Sequence, residues 1–273
     1  MAAAPDDHYA HCEALLREND RDLWLASLFA PQPARRHIQA VYAFSIETRG
    51  VRAKVSQPLL GEMRLRWWSD AIEADAAEGG TRAHPVADAL LDTADRFDLP
   101  RAELLALVEA HIFDLYDDPM PTLAALEDYC RATVAAPMQW AAQILGAPES
   151  DAFTDAGVAL GLCRALGRPF GPFIPRDILA RHGVEAEPIA ATPELRAALA
   201  ELRDDITQAH YERARRAAAD LNVGREALLP AAVIPLFLER LARKDYDPFQ
   251  AVAEPSPLRR QWRLWRAARG VGL

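Results

Sequence analysis

Residues 57–68 read Gln57-Pro58-Leu59-Leu60-Gly61-Glu62-Met63-Arg64-Leu65-Arg66-Trp67-Trp68, and their apolar spacing is that of a helix. Pro58 suits a first helical turn, where its missing N–H leaves no bond unmade. The helix is expected to run to about Ala76 and to close at Gly79 and Gly80. Glu62 and Arg66 stand four residues apart and are expected to pair along its surface. Trp67 and Trp68 are expected to anchor a core.

Working outward, Pro31 and Pro33 open a helix from about Ala34 to Lys54, with Ile38, Val41, Tyr42 and Ser45 along one face. Further helices are expected at about 84–97, 101–117, 121–146 and 151–167, bounded by Pro, Gly and Asp turns. A loop over 168–175 leads to a short helical turn at about 177–182, then to long helices at about 193–221 and 225–243. Leucine, alanine, arginine and glutamate fill these segments, and period-2 runs of Val, Ile and Thr are missing, so the fold class is all-α. No Ser/Gly-rich linker divides the 273 residues, which predicts a single domain over 1–273 with a core at about 8–245 and a basic Trp/Arg tail at 256–269.

The net charge of −9 repels phosphate and argues against nucleic acid as a partner. Arginine supplies nearly all the positive charge, since Lys54 and Lys244 are the only lysines, a usage that suggests a GC-rich bacterial genome. Cys12, Cys130 and Cys163 are odd in number and far apart, which fits a reducing cytoplasm rather than a disulfide framework. The first twenty residues lack the apolar core of a signal peptide. The longest apolar run, Ala227 to Leu238, holds two prolines and is too short to span a bilayer.

His8 and His11 form no His-Glu-x-x-His frame, and no nucleophile elbow, phosphate loop or dinucleotide fingerprint is present. The adjacent pairs Asp117/Asp118 and Asp204/Asp205 point about 100° apart on a helix and cannot share a metal on one face. Asp114 with Asp118, Asp70 with Glu73, and Asp92 with Asp95 have the right spacing, but in so acidic a chain they read as solvated surface.

The 57–68 stretch does not stand alone. With Tyr42-Ala43-Phe44 before it, and His84-Pro85-Val86, Tyr129, Pro175-Arg176-Asp177-Ile178-Leu179 and His182-Gly183-Val184 after it, the chain resembles the squalene/phytoene synthase family over about residues 8–268. The resemblance implies an isoprenoid-synthase-like helical bundle with a central cavity, in which two Asp-x-x-x-Asp motifs hold magnesium against prenyl diphosphates. A hard divalent cation needs several carboxylate oxygens for that task.

At the first motif this chain reads Ser45-Ile46-Glu47-Thr48-Arg49-Gly50-Val51-Arg52-Ala53, with Arg49 and Ala53 where the two aspartates would stand. Glu47 is the one acid, and Arg49 and Arg52 reverse the local sign. These arginines are expected either to pair with Glu47, Glu109 or Asp114 or to face the cavity. At the second motif Gly161 to Arg168 holds Cys163, Arg164, Gly167 and Arg168 and no acid. Tyr42, Arg64, Glu109, Asp114 and Tyr129 are the candidate cavity residues.

In these departures the chain is similar to one branch of the family, the mitochondrial complex I assembly factors and their alphaproteobacterial relatives. The resemblance therefore implies a non-catalytic protein with no cofactor, bound to a complex I subunit or assembly intermediate and cytoplasmic, with peripheral contact at the inner membrane. Leu258, Trp262 and Trp265 share one face of the tail, and Arg259, Arg260, Arg263 and Arg266 give it the pattern of an interfacial helix. One alternative is an active prenyl transferase using magnesium on Glu47, Asp70, Glu109 or Asp114. Another is a pocket in which Arg49, Arg52 and Arg164 hold an anionic lipid or diphosphate directly.

Overall fold

The computed structural model describes residues 6–74, 84–169, 171–184, 190–250 and 252–270. Among them no strand occurs, and the all-α class stands. The helices, in chain order, are α1 (Asp6–Asn19), α2 (Arg21–Ser27), α3 (Gln32–Arg49), α4 (Pro58–Glu73), α5 (Pro85–Phe97), α6 (Arg101–Ala110) and α7 (Leu123–Cys130). They continue as α8 (Ala136–Ile144), α9 (Asp151–Leu166), α10 (Arg176–Arg181), α11 (Pro193–Ala200), α12 (Gln208–Ala218), α13 (Ile234–Leu241) and α14 (Pro257–Ala268).

Two units organise these elements, the first formed by residues 1–117, 136–149 and 222–227. In it α1, α3 and α5 pack on one another, α8 lies on α3, and α4 lies on α6. Helix α3 is buried along most of its length, from His37 through Phe44 to Thr48, because it faces four neighbours, α1, α2, α5 and α8. Gly50 ends it, its N–H returning to the Ile46 carbonyl, so the helix stops at Arg49 instead of reaching Lys54, and Arg52–Lys54 form a separate 3-10 turn. Helix α4 inserts Gly61, Leu65, Trp68 and Ile72 into the core. A Cβ on Gly61 would lie 2.4 Å from Leu115 Cδ2, so glycine sets how closely α4 approaches that leucine.

Several sequence expectations for α4 and α6 require correction. Arg66 pairs with Asp70 at 2.8 Å, one turn later than expected, while Glu62 accepts a hydrogen bond from the Tyr116 hydroxyl. Trp68 is buried, but Trp67 is 39% exposed. The expected stop at Gly79 and Gly80 lies outside the described residues. Helix α6 ends at Ala110, and a 3-10 turn over Phe113–Leu115 replaces the rest of the expected 101–117 helix.

The second unit comprises residues 118–135, 150–221 and 228–273. Helix α9 is its axis, packed against α7, α12, α13 and the π-helical segment Arg131–Ala135. Gly157 and Gly161 permit this closeness: a Cβ on Gly157 would stand 2.2 Å from Ala135 Cα, and one on Gly161 2.7 Å from Cys130 Sγ. A second apolar cluster joins Leu166, Ile178, Leu179, Leu195, Leu202 and Tyr246 around α10 and α11. The expected helix over 193–221 is observed in three parts, because Glu201–Thr207 adopts π-helical bonding between α11 and α12.

Candidate functional site

In the first unit the site follows from the end of α3. Asp20 sits between α1 and α2, and its Oδ1 accepts the backbone N–H of Leu23 at 3.1 Å as the cap of α2. Its Oδ2 accepts from Arg49 Nη2 at 3.2 Å, and the carboxylate is only 12% exposed. Arg49 thus pairs with Asp20, a partner outside the expected Glu47, Glu109 and Asp114, the other expectation being that it faces the cavity. Two residues earlier, Glu47 faces Lys54 Nζ at 2.9 Å. Arg52 and Ala53 are exposed.

His84 lies against Trp67 and Trp68 with ring centroids at 5.2 Å from each, and burial lowers its pKa. Of the remaining candidates in this unit, Tyr42 is buried. Asp114, 12% exposed, meets His111 Nδ1 at 2.7 Å. Arg64 and Glu109 are exposed, since the faces of α4 and α6 that carry Leu65, Trp68, Leu104 and Leu107 take up the core.

Could this donor set hold the divalent cation that the resemblance implies? Magnesium demands oxygen ligands in near-octahedral order. Arg49 presents a guanidinium, Ala53 presents no donor, and Glu47 is neutralised by Lys54. The residues do not fit the ion. Among the described residues no group of three His, Cys, Asp or Glu side chains is placed to share a metal.

In the second unit the end of α9 carries the residues expected at the second motif. Cys163 is fully buried, and burial pushes its thiol well above the usual range. Cys130, near it on α7, is pushed up to about 12 by the same cause. Gly167 ends the helix, its N–H returning to the Cys163 carbonyl, and its carbonyl accepts from Ala253 at 2.8 Å. Arg164 is half-buried, and Arg168 is exposed with its guanidinium 5.1 Å from the Phe173 ring. Phe173 in turn lies 5.2 Å from Tyr129. Nothing in this segment offers a carboxylate.

Two polar clusters escaped the sequence reading. In the first unit the Tyr9 hydroxyl donates to Asp92 and lies 3.1 Å from His37 Nδ1, which is 2.9 Å from Thr93 Oγ1. Asp92 is therefore buried and structural, not the solvated surface acid expected from its spacing with Asp95. In the second unit His210 lies between Asp155 at 2.6 Å and Glu127 at 3.2 Å, with Arg213 also on Asp155. Residues that meet across 28 to 84 positions leave no local pattern.

The packing and these residues place the chain in a class of helical synthase-fold proteins. Residues 16–266 match the squalene/phytoene synthase family, and the chain belongs to it. It is 28% identical over 253 residues to NADH dehydrogenase (ubiquinone) complex I assembly factor 6 of Rattus norvegicus, covering 89% of this chain and 73% of that protein. A phytoene synthase of Thermus thermophilus is also 28% identical, over 264 residues that cover 90% of this chain and 88% of its own. Among solved structures, a squalene synthase from Alicyclobacillus acidocaldarius superposes with a TM-score of 0.73 at 24% identity, covering 89% of this chain and 96% of that one. That likeness concerns the fold, an isoprenoid-synthase-like bundle.

Proposed function

We propose that this chain is a non-catalytic member of its family that assists the assembly of respiratory complex I. The observation that carries the reading is the Arg49–Asp20 pair: a cation stands where the first metal-binding carboxylate is expected, and a structural cap neutralises it. The relatives named as complex I assembly factor 6 supply the process, and they align with 89% of this chain in both rat and human. In this reading the partner is a complex I subunit or assembly intermediate, met at the cytoplasmic face of the inner membrane.

Helix α14 supports the membrane side of the proposal. Leu258 and Trp262 are 79% and 59% exposed, and Trp265 stacks on Trp262 at 4.9 Å. Leu264 is buried, and Arg263 donates to the Ala232 carbonyl at 3.1 Å. Arg259 and Arg260 pair with Glu239 and Glu254, while Arg266 is exposed beside the tryptophans. An apolar ridge with exposed arginine is what an interfacial helix needs. No helix among the described residues is long and apolar enough to cross a membrane.

Deletion of the gene in its native organism tests the proposal. Loss of assembled complex I on native gels and of NADH:quinone reductase activity, both restored by the wild-type chain, is the expected result. Normal complex I in the deletion strain would refute it.

A further inference from the structure

The C-terminal part of the second unit carries a charge opposite to that of the whole chain. Residues 228–273 hold eight arginines and lysines against four acids, whereas the full sequence holds 31 against 40. Part of this surplus gathers around a cavity of about 310 Å³ between α13 and the first turn of α14. Leu236, Arg240 and Arg243 reach it from one side, at the spacing that puts side chains on one helical face. Ser256 and Arg259 reach it from the other.

Glu239 and Glu254 also line the cavity, but each is already matched. Glu239 takes Arg259 at 2.8 Å, Glu254 takes Arg260, and Arg243 is held by Asp245 at 2.8 Å. Lys244 and Asp247 lie outside the lining. That leaves Arg240, half-buried, whose guanidinium makes no ion pair or hydrogen bond among the described residues. Ser256 stands beside it as the cap of α14, accepting the Arg259 N–H at 3.4 Å and keeping its own O–H to donate. The first turn of α14 adds the positive end of the helix dipole.

These donors select among anions. The volume is at the small end for ligand sites, and Leu236 and Pro255 supply its apolar lining, which leaves little for an acyl or prenyl chain. A dianion would meet the two glutamates at close range, whereas a single negative charge balances the one unmatched guanidinium. Donors arriving from both α13 and α14 suit tetrahedral phosphate oxygens better than a planar carboxylate, which one guanidinium satisfies. A phosphodiester has that charge and that shape at any physiological pH. Phospholipids present such a group at a surface, and the surrounding surplus of arginine disfavours heads that also carry a cation. Leu258, 79% exposed and two residues past Ser256, begins the apolar ridge of α14 beside the cavity.

We propose that the cavity between α13 and α14 binds the phosphodiester head of an anionic phospholipid, with Arg240 as the principal contact and Arg243 and Ser256 as further donors. This deepens the membrane-side reading of α14 and rests on it for the source of the lipid, while the cavity rests on its own residues.

Calorimetric titration of the full chain with glycerophosphoglycerol, the water-soluble head of phosphatidylglycerol, tests the cavity without a membrane. Saturable binding is expected, at least tenfold weaker in Arg240→Gln and unchanged in Arg216→Gln, which removes the same charge from an exposed site on α12. Arg240→Lys, which keeps the charge and loses the planar fork, should fall between them. Inorganic phosphate above neutral pH, a dianion, should bind more weakly than the diester. Thermal melting checks that the variants keep the fold. Flotation with phosphatidylglycerol vesicles then tests the source: Arg240→Gln should partition at least threefold more weakly than Arg216→Gln. No saturable binding of glycerophosphoglycerol, or equal loss in the Arg240→Gln and Arg216→Gln variants, would overturn the proposal. Flotation that is then still abolished by Leu258→Glu with Trp262→Glu would leave the α14 reading standing alone. Inorganic phosphate binding more tightly than the diester would assign the cavity to free phosphate and overturn the lipid source, as would headgroup binding without flotation.

Discussion

Arg49 and Asp20 are joined at 3.2 Å through Oδ2 of a carboxylate whose Oδ1 caps helix α2. One acid thus serves two purposes: it starts α2 and it neutralises the cation at the end of α3. Loss of Asp20 leaves both the Leu23 N–H and the Arg49 guanidinium without this acceptor. Asp20→Ala should therefore cost about 1–3 kcal/mol in urea unfolding. Arg49→Ala should cost less, because the arginine is 32% exposed. A double-mutant cycle should show a coupling of roughly 0.5–1 kcal/mol. Strict additivity would show that the pair contributes nothing beyond the cap.

Gly157 gives a sharper test of packing in the second unit. A methyl group there would stand 2.2 Å from the Ala135 Cα and 2.8 Å from its backbone nitrogen, and backbone cannot swing aside as a side-chain tip can. Gly157→Ala should destabilise by roughly 3 kcal/mol through overpacking. At Gly146 no atom lies within 4 Å, yet φ is +75°, so Gly146→Ala should cost about 1 kcal/mol through backbone strain alone. Chemical unfolding that ranked the two in the opposite order would contradict the α9 packing described.

The buried His37 makes stability depend on pH. Burial, then the nearby Arg36 and Arg96, lower its pKa from 6.5 to about 4 in the folded state. Between those values the unfolded chain binds the proton and the folded chain does not. Stability from this site is fully present above about pH 6.5 and is lost as the pH falls toward 4. Discounted for screening, the loss is about 2 kcal/mol. His37→Gln should flatten the fall in urea midpoint between pH 7.5 and 5, leaving the smaller slope that His84 contributes in the same direction. An unchanged slope would mean that His37 is not what acid titrates.

Much of the fold was legible because its signals are local. Pro58, Pro85 and Pro193 mark helix starts at the first helical position, and Gly167 marks a stop, whereas the helix expected to reach Lys54 ends at Gly50. Helices α1 and α2 were not read, since an acidic segment with few large apolar residues shows little period, although Tyr9, Cys12 and Leu16 bury its one narrow face. The π-helical segments Arg131–Ala135 and Glu201–Thr207 broke expected long helices because their bonding does not follow the 3.6-residue period. At the site, Arg49 and Ala53 at the positions where the resemblance leads one to expect aspartates are visible in sequence order. The pairing of Arg49 with Asp20 is not, because that carboxylate comes from 29 residues upstream and belongs to no motif.

The most direct test of the central claim, that the family fold persists here without its magnesium chemistry, is pyrophosphate release. Purified full-length protein is incubated with magnesium and farnesyl or geranylgeranyl diphosphate. The Arg49–Asp20 pair and the acid-free end of α9 predict release at the level of the protein-free control. Magnesium-dependent release that is abolished by Glu109→Gln or Asp114→Asn would contradict the account.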